Sequence, residues 1–61
     1  MQPENIKIGD LIFLNKFLYI VVSINCYNLA KTEYIFTMIN VYHNIVSYYN
    51  DQQCKYFEKV S

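Results

Sequence analysis

The chain has 61 residues, 54% of them hydrophobic and 18% aromatic, with five Lys offset by five acids and no Arg. That length allows one small domain, which buries only about 60% of the surface its unfolded chain exposes, too little for a self-contained enzyme with a deep pocket. Zero net charge excludes a nucleic-acid binder driven by phosphate contacts, and the apolar content excludes a disordered tail.

The hydrophobic pattern repeats every two residues rather than every 3.6, and predicts strands. After an N-terminal extension over residues 1–6, the only glycine introduces the first strand, Leu11 to Leu14. Asn15 and Lys16 make a tight turn, without the glycine that favoured hairpin turns carry. Phe17 to Ile24 follows as the second strand, with an aliphatic face (Leu18, Ile20, Val22, Ile24) expected in the core and a mixed face (Phe17, Tyr19, Val21, Ser23) outside. Asn25 to Lys31 reads as a loop. Thr32 to Tyr42 is a long strand, with Tyr34, Phe36 and Met38 on one face and Ile35, Ile39 and Val41 on the other. Two apolar faces place it centrally or against a partner. His43 and Asn44 turn the chain into a fourth strand, Ile45 to Tyr49. The polar run at residues 50–53, with Asp51 as cap, suits a single 3₁₀ turn, and Tyr56 to Val60 closes as a fifth strand.

Phe, Tyr, Met, Ile, Asn and Lys, all with AT-rich codons, make up more than half of the chain, whereas Gly, Ala and Pro occur once each. A short frame from an AT-rich genome suits a phage or another mobile element, so a viral protein is one expectation. The same bias warns that the seven Tyr need not be a functional design. The longest nearly apolar stretch, Leu11 to Ile24, is interrupted by Asn15 and Lys16 and falls short of the roughly 20 residues that span a membrane. With no signal-peptide pattern at the start, the expected location is cytoplasmic and away from membranes. In that compartment Cys26 and Cys54 are read as half-buried thiols, with one disulfide as the alternative.

Five short strands with turns about every ten residues predict a small all-β barrel. The segment Ile8-Gly9-Asp10-Leu11-Ile12, a hairpin, and then Tyr19-Ile20-Val21-Val22-Ser23-Ile24 resembles the opening of small SH3-like barrels of the Tudor and KOW types, including short phage-encoded relatives. The closing Phe57-Glu58-Lys59-Val60 is similar to their last strand, which often follows a 3₁₀ turn. The resemblance spans about residues 7–60 and implies a single five-stranded SH3-like barrel with a short 3₁₀ turn before the last strand. It brings no ligand residues with it: the glycine usual near the second strand and the aromatic-acid-glycine turn before the fourth are missing.

For chemistry the sequence offers little. Glu4, Asp10, Glu33, Asp51 and Glu58 are dispersed, and none adjoins His43, so no acid–base pair is set up. His43 reads as a turn residue, with no motif to bring it to Cys26 or Cys54 as a nucleophile pair. No cofactor or metal is expected. Tyrosine rings on small barrels can hold methylated ammonium groups or single-stranded bases. Such a cage would draw on Tyr19, Phe36 or Tyr48 with Asp51, but the lysines are scattered and form no basic groove.

The apolar residues outnumber the roughly 12–15 inward positions of a five-stranded barrel, even with the tyrosines set aside. A contiguous surplus of that size marks an interface. The sequence therefore reads as a non-enzymatic protein–protein interaction module, a small accessory or inhibitory protein that docks an aromatic-rich face on a protein partner. Its expected contact residues are Tyr19, Tyr34, Phe36 and Tyr48, taken as exposed rings. The alternatives are a structural component of a larger assembly such as a virion, a self-associating homo-oligomer, and an aromatic platform for single-stranded nucleic acid or a small ligand.

Overall fold

The computed structural model describes residues 1–26, 29 and 33–60. Five antiparallel strands form one sheet: β1 (Leu11–Leu14), β2 (Phe17–Cys26), β3 (Tyr34–Asn40), β4 (Ile45–Asn50) and β5 (Glu58–Lys59). Two 3₁₀ turns, Pro3–Asn5 and Cys54–Tyr56, complete the described elements. The order across the sheet is β4-β3-β2-β1-β5. β4 and β5 are its two edges and do not pair, so the sheet is open where a closed barrel was expected. The reason is local: β5 is two residues long and reaches only Ile12 and Phe13 of β1. The loop expected at residues 25–31 begins later, because β2 runs to Cys26, and most of it lies outside the described residues.

β1 and β2 meet in the register Leu11↔Ile20 to Leu14↔Phe17. Between them Asn15 and Lys16 have φ of 51° and 72°. Two consecutive positive φ values are what a type I′ hairpin turn demands, because its twist matches that of the strands. Asn tolerates this region; Lys pays a steric penalty for it. Gly9, with φ of 94°, turns the chain just before β1, and its N–H donates to Val21 O at 2.7 Å.

The faces of β2 are the reverse of the sequence expectation. Tyr19 and Val21 are buried, Leu18 and Ile20 are half-buried on the other side, and Val22 is exposed. A bulge between Val21 and Ser23 opposite β3 shifts the alternation by one residue, so that Ile24 returns to the inner side and packs against the core. A strict period of two cannot report such a phase change. β3 lies between β2 and β4, as its two apolar faces suggested, with Phe36 and Met38 fully buried.

The inner face closes over Ile12, Leu14, Tyr19, Val21, Phe36 and Met38, with Ile6, Cys54 and Phe57 packed onto them from outside the long strands. Ile6 is only 4% exposed and Met1 packs against the same cluster, so these two residues of the 1–6 segment lie on the core. β3 ends at Asn40, two residues before its expected end. The buried Asn40 accepts at Oδ1 from the N–H groups of Tyr42 (2.9 Å) and His43 (3.1 Å), which turns the chain there. The predicted 3₁₀ turn is present but later, at Cys54–Tyr56. Residues 50–53 form a tight turn instead, in which Asn50 N–H donates to Gln53 Oε1 and Gln53 N–H to Asn50 Oδ1. Asp51 accepts from Tyr34 N–H rather than capping the 3₁₀ turn.

Lys16→Gly removes the side chain that the positive φ of this turn disfavours. The expected outcome is a gain of about 1 kcal/mol, read as a rise of about 4–8 °C in melting temperature. An unchanged or lower melting temperature would show that Lys16 is not strained.

Candidate functional site

Of the four rings expected on the surface, only Tyr48 is there, at 67% exposure. Tyr19 and Phe36 are 6% and 0% exposed, and Tyr34 is half-buried, stacked on Phe36 with centroids 5.9 Å apart. The correction has a physical cause. An open sheet has no second layer, so large rings on its concave side have to fill the space themselves. Phe57 meets Phe36 and Tyr49 edge-on at 5.9 and 5.8 Å, and Tyr49 meets Tyr19 at 5.7 Å. Tyr49 Oη donates to Tyr19 Oη at 3.2 Å, which satisfies two phenols inside an apolar cluster. A cage of Tyr19, Phe36, Tyr48 and Asp51 is therefore not assembled: Tyr48 lies on the opposite face from the other two rings.

The other side of the sheet carries the surplus. Leu11 pairs with Ile20, Ile20 with Ile39 and Ile39 with Val46, giving an aliphatic row across four strands. Beside it Phe13 pairs with Leu18, whose carbonyl accepts from Val41 N–H. Phe13 is 37%, Val41 47% and Val46 49% exposed. Past this patch the same face becomes polar, with Ser23 opposite Thr37 and Thr37 opposite Tyr48. None of β1 to β4 contains a charged residue. Among the described residues, charge on this sheet is confined to Glu58 and Lys59 of β5 and to the turns. Lys59 pairs with Asp10 at 3.4 Å, and Asp10 also accepts from Lys7 N–H at 2.8 Å. Asp10 thereby organises the turn into β1.

A second feature escaped the sequence reading. Leu14, Asn15, Tyr49, Gln53 and Tyr56 line an open depression of about 520 Å³ where the β1–β2 turn faces β4 and the second 3₁₀ turn. It combines apolar walls with two carboxamides. No sequence signal marks it, because its residues come from three separate segments that only the curled sheet brings together.

Burial raises the pKa of Tyr49 above its ordinary 10.0, and the hydrogen bond with Tyr19 adds to the rise. Burial also raises Cys54 above its ordinary 9.0; the chain's N-terminal ammonium opposes this in part. Cys54 Sγ lies 3.0 Å from Asp51 O, so the thiol has an acceptor in place, and it is fully buried rather than half-buried. Cys26 is exposed, and neither cysteine is in a disulfide. His43 is a turn residue, its ring edge-on to Phe17 at 5.6 Å. No group of three His, Cys, Asp or Glu side chains that could hold a metal ion occurs among the described residues, nor any helix long and apolar enough to cross a membrane.

The chain matches no known protein family, and comparisons with curated proteins and with solved structures find no match.

Two predictions follow from the core. Truncating a buried ring costs about 3–5 kcal/mol, against a net stability of about 3–9 kcal/mol for 61 residues. Phe36→Ser and Tyr19→Ser are therefore expected to remove about 3–5 kcal/mol, a third or more of the whole, whereas Tyr48→Ser leaves stability within about 0.5 kcal/mol of the parent. Circular dichroism melts check this, and a Phe36→Ser protein as stable as the parent would contradict the burial. The second concerns pH. Tyr49 and Cys54 hold their protons more tightly when folded than when unfolded. Above their ordinary values the unfolded chain loses protons that the folded chain keeps, so rising pH favours unfolding. Stability is expected to be level with respect to these groups at neutral pH and to fall past about pH 9, with Tyr49→Phe removing the part that sets in near pH 10. Melts across pH 7–11 read it.

Proposed function

We propose that the chain is a non-catalytic protein-interaction module that docks the outer face of its sheet onto a protein partner. One observation carries this reading: the uncharged row Leu11–Ile20–Ile39–Val46, flanked by Phe13, Leu18 and Val41, stands on the solvent side of an open sheet. Isolated apolar side chains on a surface are ordinary, but a contiguous patch on a chain this small costs solubility unless something covers it. The absence of charge from the patch points to an apolar partner surface, with specificity left to shape and to the polar rim at Thr37 and Tyr48.

The strand order, with β5 beside β1 and a 3₁₀ turn just before β5, supports reading the domain as an SH3-like barrel left open between β4 and β5. The accessory or inhibitory role, in the phage-type setting that the composition suggests, is the version of this reading that needs a soluble module with one saturable partner.

The test uses the double variant Phe13→Lys/Val41→Lys, both at exposed positions away from either sheet edge. The parent chain, immobilised, should retain one saturable partner from cells that express it, and the variant should lose at least tenfold in retention at an unchanged melting temperature. Equal retention by parent and variant would overturn the outer face as the docking surface.

A further inference from the structure

The two edges of the sheet are unlike in a way that the outer face does not explain. An exposed edge strand offers unpaired N–H and C=O groups to any other strand, and proteins guard such edges with short strands, charges or prolines. One edge here is guarded: β5 is two residues long, and both are charged. The other, β4, is six residues, Ile45-Val46-Ser47-Tyr48-Tyr49-Asn50, with no charge, proline or glycine, and its pairing with β3 runs through without a bulge.

We propose that β4 is the site at which a second copy of this chain adds antiparallel, making one continuous ten-stranded sheet. Geometry limits the register. Antiparallel strands bond through residues whose backbone groups point the same way, and directly opposed residues share a face. Two copies of β4 must therefore pair residues whose numbers sum to an even value. Centring on Ser47 sets Val46 opposite Tyr48 of the second copy, and Ile45 opposite its Tyr49. Centring on Tyr48 instead sets Val46 against Asn50. The Ser47-centred register joins aliphatic to aromatic residues on both faces, the favourable kind of cross-strand pair, and covers Ile45, which is 58% exposed in the single chain.

The charge pattern and the self-complementary register select a second copy over a foreign strand. β4 carries no charge that would choose a charged partner, and the chain's zero net charge sets up no repulsion between copies. The symmetric register leaves each exposed apolar side chain of β4 facing an apolar one. The guarded β5 edge then stops growth at two copies, because the paired sheet ends in β5 on both sides. The two-fold axis stands perpendicular to the sheet, so both outer apolar rows face the same way. This pairing adds to the proposed docking face and does not depend on it.

The experiment is solution mass by light scattering over a dilution series from millimolar to low micromolar, with amide hydrogen exchange at both ends. The expected mass rises from 7.3 kDa to twice that value with concentration. Alternate amides of β4, those turned away from β3, should exchange about tenfold more slowly when nine chains in ten are paired. Ile45→Lys, and Val46→Lys as a second edge variant in case the first fails to fold, should remain monomeric throughout. Phe13→Lys/Val41→Lys should still pair, which keeps this outcome separate from that of the docking face. A mass that stays at 7.3 kDa, a doubling without protection in β4, or growth past two copies would each overturn the proposal.

Discussion

A single sheet has to bury one of its own faces, and this one does so by curling around the rings of Phe36, Tyr49 and Phe57. Most small β proteins bring a second sheet or a helix to that task. Here the cover comes from short pieces outside the long strands: Ile6 after the first 3₁₀ turn, Cys54 within the second, and Phe57 just beyond it. Phe57 contacts Phe36 of β3 and Tyr49 of β4, and it immediately precedes β5, which pairs with β1. One ring thus ties the interior to both ends of the sheet. The bulge in β2 serves the same curvature, since an extra residue bends a strand and increases its twist.

Putting the aromatic rings inside leaves aliphatic side chains outside. Tyr19 can occupy a core position because Tyr49 supplies its hydroxyl with a partner, which spares the cost of an unsatisfied buried polar group. The aliphatic face of β2 is then free to continue the row from Leu11 to Val46. The exposed patch is thus a consequence of how the interior is filled, and the face it occupies is set by the phase of β2.

Strand existence and order of elements were legible in the sequence because a period of two survives any face assignment. β1 was legible to the residue, bounded by Gly9-Asp10 on one side and by the turn at Asn15 and Lys16 on the other. Which face of β2 turns inward was not. Aliphatic residues are a better guess for a core than tyrosines, and only the bulge and the Tyr19–Tyr49 hydrogen bond reverse that preference. Those are tertiary facts, contributed by β3 and β4. The misplaced contact residues Tyr19 and Phe36 follow from the same reversal, since a ring counted as surplus was in fact the filling. Ile6 escaped for a different reason: one apolar residue among polar neighbours has no period, and only the fold shows what it covers. The depression at Leu14, Asn15 and Tyr56 likewise depends on chain segments far apart in sequence.

The smallness of the interior bears on the two surfaces left open. A chain of this length holds its native state by only about 3–9 kcal/mol. A partner that binds the folded form alone adds about 2.7 kcal/mol when present at a hundred times its dissociation constant. For a large domain that increment is minor. Here it is a substantial part of the whole, so covering the outer row or the β4 edge would stabilise the fold as well as complete an interface. A larger core would make such surfaces a liability to be removed by charge. In this sheet the charges are confined to one short edge and the turns, so the remaining edge and the outer face are where covering apolar surface would add most to stability.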